Sequence, residues 1–200
     1  MKDFINTLAS KEPTPGGGGA SAMIGTVAAA LCSMVANLTT GKKKYEQYQE
    51  DIDRILFYLE EAIWDINSYI EKDADAFGPL AEAYKIPKDD SKRAEIMEKA
   101  LLAAAVVPME LANKLYDLVP VMEELEQKGS KMALSDVAVA AAACKAAMEG
   151  AVMNVYINTK FLTNPLISKG LNQKAMKLVT DGGKRCQEIY DRIQKTLVEE

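Results

Sequence analysis

The feature that most constrains the fold is a stripe of apolar side chains that advances along the chain by three and four residues in alternation. The members of this stripe between residues 52 and 80 are Ile52, Leu56, Leu59, Ile63, Ile66, Ile70, Phe77 and Leu80. Such spacing places the side chains on one face of an α-helix, and a stripe of this length needs other helices to cover it. The same stepping returns between Leu101 and Leu125. We therefore predict an all-α fold, a multi-helix up-and-down bundle whose long helices are partly kinked.

Prolines and glycines mark where the predicted helices kink or end. These residues are Pro87, Pro108, Pro120, Gly129 and Gly170. Pro108 lies inside an apolar stripe and is expected to kink its helix, because proline lacks the N–H that a helix interior uses. A further helix is predicted over residues 134–162 and a last one over residues 173–198. Nothing indicates a second domain, so residues 1–200 are predicted to form one.

A stretch without charge, residues 13–41, raises the question of a membrane span. Its apolar part, residues 23–38, is shorter than the roughly 20 residues that a span needs. It also contains Gly25, Thr26 and Asn37. We predict a buried central helix over residues 20–41, a cytoplasmic protein and no membrane partner.

Charge and composition exclude several classes of function. The net charge of −5 argues against a general nucleic-acid binder, which needs a basic face for phosphates. The chain has no histidine, so catalytic arrangements built on histidine are excluded. Its three cysteines are far apart and form no CxxC pair. A metal site is therefore not expected.

The first candidate site is the segment that contains Pro15, Gly16, Gly17 and Gly18. Glycines allow successive N–H groups to point toward one spot, and the helix that follows adds unpaired N–H groups and its dipole. Such a place suits a carboxylate, phosphate or carbonyl oxygen. The alternative interpretation is a flexible hinge.

The second candidate is Asp73, which stands on the long apolar stripe where the period calls for Leu or Ile. Burial of a carboxylate raises its pKa toward the range of a general acid or base. Asp75, two residues on, is expected to face solvent. The alternative is a structural aspartate held by a lysine or a backbone amide.

Two further groups of polar residues complete the candidates. Asp136, Asn154 and Asn158 follow one small-residue face of a helix and could orient a flat ligand. Alternatively, Asp136 caps the helix start and the asparagines link helices. Lys42 and Lys43 form a local positive spot for an anion, or they offset the dipole of a helix end.

Several of these segments occur together in one known family. The segments, in chain order, are Pro13-Thr14-Pro15-Gly16-Gly17-Gly18, Met34-Val35-Ala36-Asn37-Leu38-Thr39, Lys42-Lys43-Lys44-Tyr45-Glu46, Asp73-Ala74-Asp75-Ala76-Phe77, Val107-Pro108-Met109, Ser135-Asp136 and Asn154-Val155 with Asn158. Together they resemble the cyclodeaminase domain of formiminotransferase-cyclodeaminase and the related bacterial methenyltetrahydrofolate cyclohydrolases. The chain departs from the family's pattern at Gly129-Ser130, where Gly-Asn is usual.

The resemblance implies an all-α homodimer that acts on a folate at the 5,10-methenyltetrahydrofolate level. It implies Asp73 as the general acid and base. Lys42 and Lys43 would meet the glutamate carboxylates or polarise the reacting centre. The glycine segment would hold pterin or carboxylate oxygens, and the Asp136 group would orient the pterin. No metal and no cofactor beyond the tetrahydrofolate substrate is implied. Cyclodeaminase and cyclohydrolase remain equal alternatives, and a non-catalytic helical binding or scaffold protein is a third.

Overall fold

The computed structural model describes residues 1–199 as a bundle of helices; Glu200, the last residue of the predicted domain, lies outside it. The α-helices are α1 (Lys2–Leu8), α2 (Gly17–Asn37), α3 (Gln49–Lys85), α4 (Arg93–Asp117), α5 (Val119–Lys128), α6 (Leu134–Thr159) and α7 (Pro165–Glu199). Short 3-10 helices, Lys43–Tyr48 and Lys131–Ala133, precede α3 and α6. Residues 1–199 contain no strand, so the all-α prediction is confirmed.

Helices α2 and α6 form the centre of the bundle and run antiparallel. At one end Gly17 lies beside the Asn154 side chain, and at the other the Ser130 N–H donates to Thr39 Oγ1 at 2.8 Å. The facing positions are small, and a methyl group at Gly150 would overlap the Ser21 hydroxyl. Small residues let the two backbones approach closely, which explains why both helices are rich in alanine.

Helices α3 and α4 pack on each other beside α2 and α6. The apolar stripe of α3 supplies fully buried residues such as Ile52, Leu59 and Ile66. Toward its C-terminal end, α3 shares a small separate core with the start of α4: Leu80, Ala83, Ala100, Leu101 and Ala104. This second core holds the last turns of α3 in place beside the candidate site.

Two predicted helix starts are wrong, and a side-chain cap explains the second. Helix α2 begins at Gly17 rather than residue 20, and its last residue is Asn37 rather than residue 41. Helix α7 begins at Pro165, eight residues before the predicted start at residue 173. The Asn164 side chain accepts hydrogen bonds from the N–H groups of Leu166 and Ile167, and proline is favourable in the first turn. Gly170 therefore lies inside a helix.

The proline inside α4 leaves a carbonyl that another helix satisfies. Pro108 has no N–H for the oxygen of Ala104, the residue four positions earlier. Asn158 Nδ2 of α6 donates to that oxygen at 2.9 Å. Pro120 lies in the first turn of α5, at the break between α4 and α5 that was predicted there.

Within residues 1–199 one helix, α2, is long and apolar enough to cross a membrane by length and composition. Half of that apolar stretch is buried inside the bundle. Its packing against α3 and α6 matches the predicted buried central helix.

Candidate active site

The Asp73 carboxylate lies directly against the first turn of α2. Its Oδ2 accepts a hydrogen bond from the Gly19 N–H at 3.0 Å. A Cβ at Gly18 would overlap the same carboxylate. Glycine at position 18 therefore permits the acid to approach the helix start, where the unpaired N–H groups and the dipole favour negative charge.

Two opposing effects set the protonation of Asp73. Burial raises the pKa of its carboxyl above the ordinary value, and the hydrogen bond from the Gly19 N–H acts against that rise. The net direction is upward, toward the range in which a carboxyl group can both take and return a proton. Asp75 is exposed, as predicted.

A cleft of about 260 Å³ opens beside Asp73. Its walls come from the segment before α2, the last part of α3, Ala104 of α4 and the last turns of α6. The lining residues are Pro13, Thr14, Gly16, Gly17, Asp73, Phe77, Leu80, Tyr84, Ala104, Asn154, Ile157 and Asn158. The lining combines apolar side chains with a few polar groups, which is typical of small-molecule sites, and it contains no lysine or arginine.

The two asparagines of the cleft use their amide nitrogens within the protein. Asn154 Nδ2 donates to the Gly150 carbonyl at 2.8 Å. Asn158 Nδ2 donates to the carbonyls of Ala104 and Asn154, at 2.9 and 2.8 Å. The bond from Asn158 to Ala104 joins α6 to α4, in agreement with the alternative that the asparagines link helices. Both asparagines also line the cleft. Their amide oxygens accept no hydrogen bond within residues 1–199.

Some residues of the predicted glycine segment line the cleft, and the others pack behind it. Gly16 and Gly17 line the cleft, and Gly18 meets Asp73. Pro15 lies behind them, where its side chain packs closely on Gly19. We refer to this region, with Asp73, Asn154 and Asn158, as the Asp73 end.

The other predicted residues lie at the opposite end of the bundle. Lys42 and Lys43 follow the C-terminus of α2, which has 21 residues. At 1.5 Å per residue this helix separates them from the Asp73 end by about 31 Å. Asp136 is in the first turn of α6, 18 positions before Asn154, or about 27 Å away along the helix. One chain therefore does not bring all the predicted residues into one site.

This second region, here the lysine end, consists of Lys42, Lys43, Lys44, Tyr45 and Asp136. The three lysines are exposed and form no ion pair within residues 1–199. The Tyr45 hydroxyl accepts a hydrogen bond from the Lys131 N–H at 2.8 Å. That bond, with the charges of Lys44 and Lys42, holds the pKa of Tyr45 below its ordinary value.

The sequence interpretation missed Ala104 and Ile157, and it missed the cleft residues of α3 beyond Asp73, which are Phe77, Leu80 and Tyr84. The three residues of α3 carried a signal. They follow Asp73 by four, seven and eleven positions and so lie on the same face of α3. That spacing was the available signal. Among residues 1–199, no three His, Cys, Asp or Glu side chains gather in a group that could hold a metal ion.

Comparisons with known proteins identify the family of this chain. The pattern described as formiminotransferase-cyclodeaminase matches residues 1–177. A methenyltetrahydrofolate cyclohydrolase from Methylorubrum extorquens is 34% identical over 198 residues, which cover 97% of this chain and 95% of that protein. A formimidoyltransferase-cyclodeaminase from Mus musculus is 30% identical over 185 residues; these cover 90% of this chain but 34% of that longer protein.

A solved structure has the same fold. The crystal structure of formiminotetrahydrofolate cyclodeaminase from Thermotoga maritima superposes with a TM-score of 0.84 and 31% sequence identity. The match covers 100% of this chain and 96% of that one. The family resemblance seen in the sequence motifs is thereby confirmed. The chain belongs to the formiminotransferase-cyclodeaminase family.

Proposed function

We propose that this protein is a folate one-carbon enzyme that acts at the level of 5,10-methenyltetrahydrofolate, with Asp73 as its general acid and base. The observation that carries the proposal is the half-buried Asp73 carboxylate, which is held at the start of α2 and opens onto a cleft. Two relatives that match this chain over 95–96% of their own length are a cyclohydrolase and a cyclodeaminase. Both names imply reactions at one folate carbon.

In the cyclohydrolase reaction, water adds to the cationic methenyl carbon that bridges N5 and N10. Asp73 accepts a proton from the attacking water as the new C–O bond forms. The C–N5 bond then breaks, N5 takes a proton, and the hydroxyl loses its own to become the formyl C=O. The product is 10-formyltetrahydrofolate, and one proton is released per turnover.

In the cyclodeaminase reaction, N10 of 5-formiminotetrahydrofolate attacks the carbon of the protonated formimino group, –CH=NH₂⁺, whose nitrogen becomes an amino group on the new tetrahedral carbon. Asp73 takes the N10 proton and returns it to the departing nitrogen, which leaves as ammonia. A single carboxyl group with a raised pKa can serve both steps in turn. This second candidate is supported by the match with the Thermotoga cyclodeaminase over nearly its whole length.

The remaining parts of the proposal follow from the family. We propose a cytoplasmic homodimer with a single domain and no cofactor beyond its folate substrate. Asn154 and Asn158 contribute amide oxygens to one wall of the cleft, where they would orient the pterin. The N–H groups at the start of α2 would meet oxygens of the substrate.

The test is to add purified protein to 5,10-methenyltetrahydrofolate and follow the absorbance of the methenyl group. We expect loss faster than in a protein-free control, and slower by about 10²–10⁴-fold for Asp73→Asn, as for removal of a general acid or base. Asp75→Asn is the matched control, because Asp75 is exposed two positions away on α3 and should retain turnover.

If the methenyl absorbance does not change, 5-formiminotetrahydrofolate is supplied and ammonia is measured with the same three proteins. Ammonia release that depends on Asp73 would identify the cyclodeaminase. If neither substrate reacts, the proposal fails and the scaffold alternative stands.

A further inference from the structure

Three cysteines that the proposed folate reaction does not use lie close together in the core. Cys32 of α2, Cys144 of α6 and Cys186 of α7 are free thiols, and all three are buried. Cys32 and Cys144 each lie near enough to Cys186 for its charge to act on them. Three helices therefore gather cysteines whose wide spacing in the sequence gave no sign of a pair.

Two of these thiols, Cys144 and Cys186, are in direct contact. Their side chains are hydrogen-bonded to each other where α6 packs on α7. Cys144 Sγ also lies 3.3 Å from the carbonyl oxygen of Leu115. A disulfide requires two sulfurs that can approach to about 2.0 Å, and thiols in contact on facing helices are close to that condition. Within residues 1–199 the cysteines are not grouped to hold a metal ion, so the chemistry open to them is that of a thiol pair.

Only one thiol of the pair can be reached from solvent. A hollow of about 340 Å³ opens between α6 and α7, and Cys186 lines it. The wall on α6 is low because Ala142 and Ala146 have short side chains. Cys186 is 1% exposed, whereas Cys144 is fully buried. A reagent about as small as water can therefore touch Cys186, and it meets Cys144 only through Cys186.

The surroundings of the pair favour the thiolate at Cys186. The hydrogen bond from Cys144 lowers the pKa of Cys186, and the positive charges of Arg185 and Lys145 lower it further. Burial and the charge of Glu123 act against this, but the net direction is downward. In Cys144 the same hydrogen bond, together with burial, raises the pKa well above its ordinary value. One thiol of the pair therefore ionises first, and the other keeps its proton.

The rim of the hollow suits a small neutral reagent that carries oxygen. Lys145 Nζ donates to Gln187 Oε1 at 2.9 Å, which leaves two N–H groups of its ammonium for another acceptor. Glu149 places a negative charge on the same wall, so an anion is disfavoured there. Hydrogen peroxide is neutral, nearly as small as water and able to accept a hydrogen bond from Lys145.

We propose that Cys144 and Cys186 form a redox-active pair, in which hydrogen peroxide oxidises Cys186 and Cys144 then closes a disulfide. The Cys186 thiolate attacks one peroxide oxygen, the O–O bond breaks, and the hydroxide that leaves takes up the thiol proton as water. The Cys144 sulfur attacks the resulting Cys186 sulfenic acid, whose hydroxyl leaves with the Cys144 proton as a second water. Two electrons pass from the two sulfurs to the peroxide, and an external thiol reduces the disulfide again.

Cys32 is the unreactive member of the cluster. It is fully buried on α2 and does not line the hollow. Burial, together with the charge of Cys186, raises the pKa of Cys32 to about 12, so its reactive thiolate is scarce. The chain thus contains a buried cysteine that serves as an internal control for the pair.

The first experiment adds hydrogen peroxide to the reduced, folded protein and measures its mass and its cysteine peptides without reductant. We expect the mass to fall by about 2 Da as two thiols lose their hydrogens, and a peptide pair linked through Cys144 and Cys186. Dithiothreitol should restore the original mass. A folded protein that keeps three free thiols, or a disulfide that includes Cys32, would overturn the proposal.

Three alanine variants test the role of each cysteine. Cys186→Ala should be oxidised at least about 10-fold more slowly than the parent, because the thiol that peroxide can reach is gone. Cys144→Ala should stop at a sulfenic acid on Cys186, which dimedone traps. Cys32→Ala is the matched control and should form the disulfide at the parent rate. Oxidation of Cys144 at the parent rate in Cys186→Ala would contradict the order of the two steps and overturn the proposal.

A bulky aromatic disulfide reagent distinguishes reaction in the folded protein from reaction after unfolding. Because Cys186 is only 1% exposed, this reagent should modify no thiol during the time in which peroxide closes the disulfide. Circular dichroism should stay unchanged over the same period. If the bulky reagent modifies all three cysteines as fast as peroxide oxidises the pair, the reaction follows unfolding and the proposal is wrong. No folate substrate enters these measurements, so their outcome is independent of the proposed function.

Discussion

Replacing Gly18 by alanine tests whether the glycine is there to admit the Asp73 carboxylate. A Cβ at Gly18 would overlap that carboxylate, so the side chain must move and its hydrogen bond with Gly19 is lost. A hydrogen bond to a charged group contributes about 1.5–3 kcal/mol, and alanine in a helix returns up to about 1 kcal/mol relative to glycine. We expect a net loss of about 0.5–2 kcal/mol, or a fall in Tm of about 1–8 °C for a chain of this size.

The same substitution should reduce turnover, because the displaced carboxylate is the proposed acid and base. A misplacement of about 1 Å in a catalytic group can cost about 100-fold in rate. Circular dichroism measures the melting temperature, and the methenyl absorbance or ammonia release measures the turnover of the same preparation.

Gly170→Ala is the matched control for this experiment. Gly170 lies inside α7, and a Cβ there would meet nothing within 4 Å. This variant should gain up to about 1 kcal/mol from helix propensity and keep full turnover. If Gly18→Ala also melts higher and keeps its turnover, the glycine does not serve the carboxylate and the reasoning is refuted.

Three further predictions concern stability. Burial raises the pKa of Asp73 in the folded state above its value in the unfolded state. The stability that the neutral carboxyl contributes is therefore complete at pH values below the unfolded pKa, and it is lost as the pH rises through the folded pKa. Asp73→Asn should therefore melt no lower than the parent at pH 7, with a gap between the two Tm values that shrinks toward acid; a gap that widens there would contradict the raised pKa. Asn158→Ala should cost about 1–3 kcal/mol by leaving the Ala104 carbonyl unpaired, and much less in a Pro108→Ala background, where the helix restores the missing N–H. If the losses of unfolding free energy in the two single variants sum to the loss in the double variant, Asn158 does not stand in for the N–H that Pro108 lacks. Leu115→Ala should cost about 2–5 kcal/mol in denaturant unfolding, because Leu115 is fully buried against Gly25; a loss under about 1 kcal/mol would mean that the site collapses.

The fold was predictable because its main signal is local. The three- and four-residue stepping identifies a helix and the face it buries, and Pro120 marked a real break. The start of α2 was not predictable in the same way. Its Gly19 N–H is satisfied by Asp73, 54 positions away, and no local pattern reveals such a partner.

The candidate site was predictable where a residue broke the local rule. Asp73 stood out because a carboxylate occupied an apolar stripe. Phe77 and Leu80 did not, because apolar residues on the same stripe look like ordinary core. The separation of Lys42 from Asp73 follows from the length of α2, and the predicted helix over residues 20–41 already implied that separation.

The contact between Pro108 and Asn158 also decides what kind of ligand edge the cleft can accept. The Ala104 carbonyl, which Pro108 leaves without its helical partner, accepts a hydrogen bond from Asn158 Nδ2. The Gly150 carbonyl accepts one from Asn154 Nδ2. Because both N–H groups of the Asn158 amide are used, by the carbonyls of Ala104 and Asn154, Asn158 can offer a ligand only its oxygen, which accepts hydrogen bonds. Asn154 offers its oxygen and the second N–H of its amide. An edge that carries N–H groups, as the amino-substituted ring of a pterin does, therefore finds a partner at Asn158, whereas a carbonyl oxygen placed at Asn158 meets acceptor against acceptor. Pro108 in α4 thus determines which hydrogen-bonding group Asn158 of α6 presents to the cleft. It thereby favours one orientation of a ring whose two edges carry different groups.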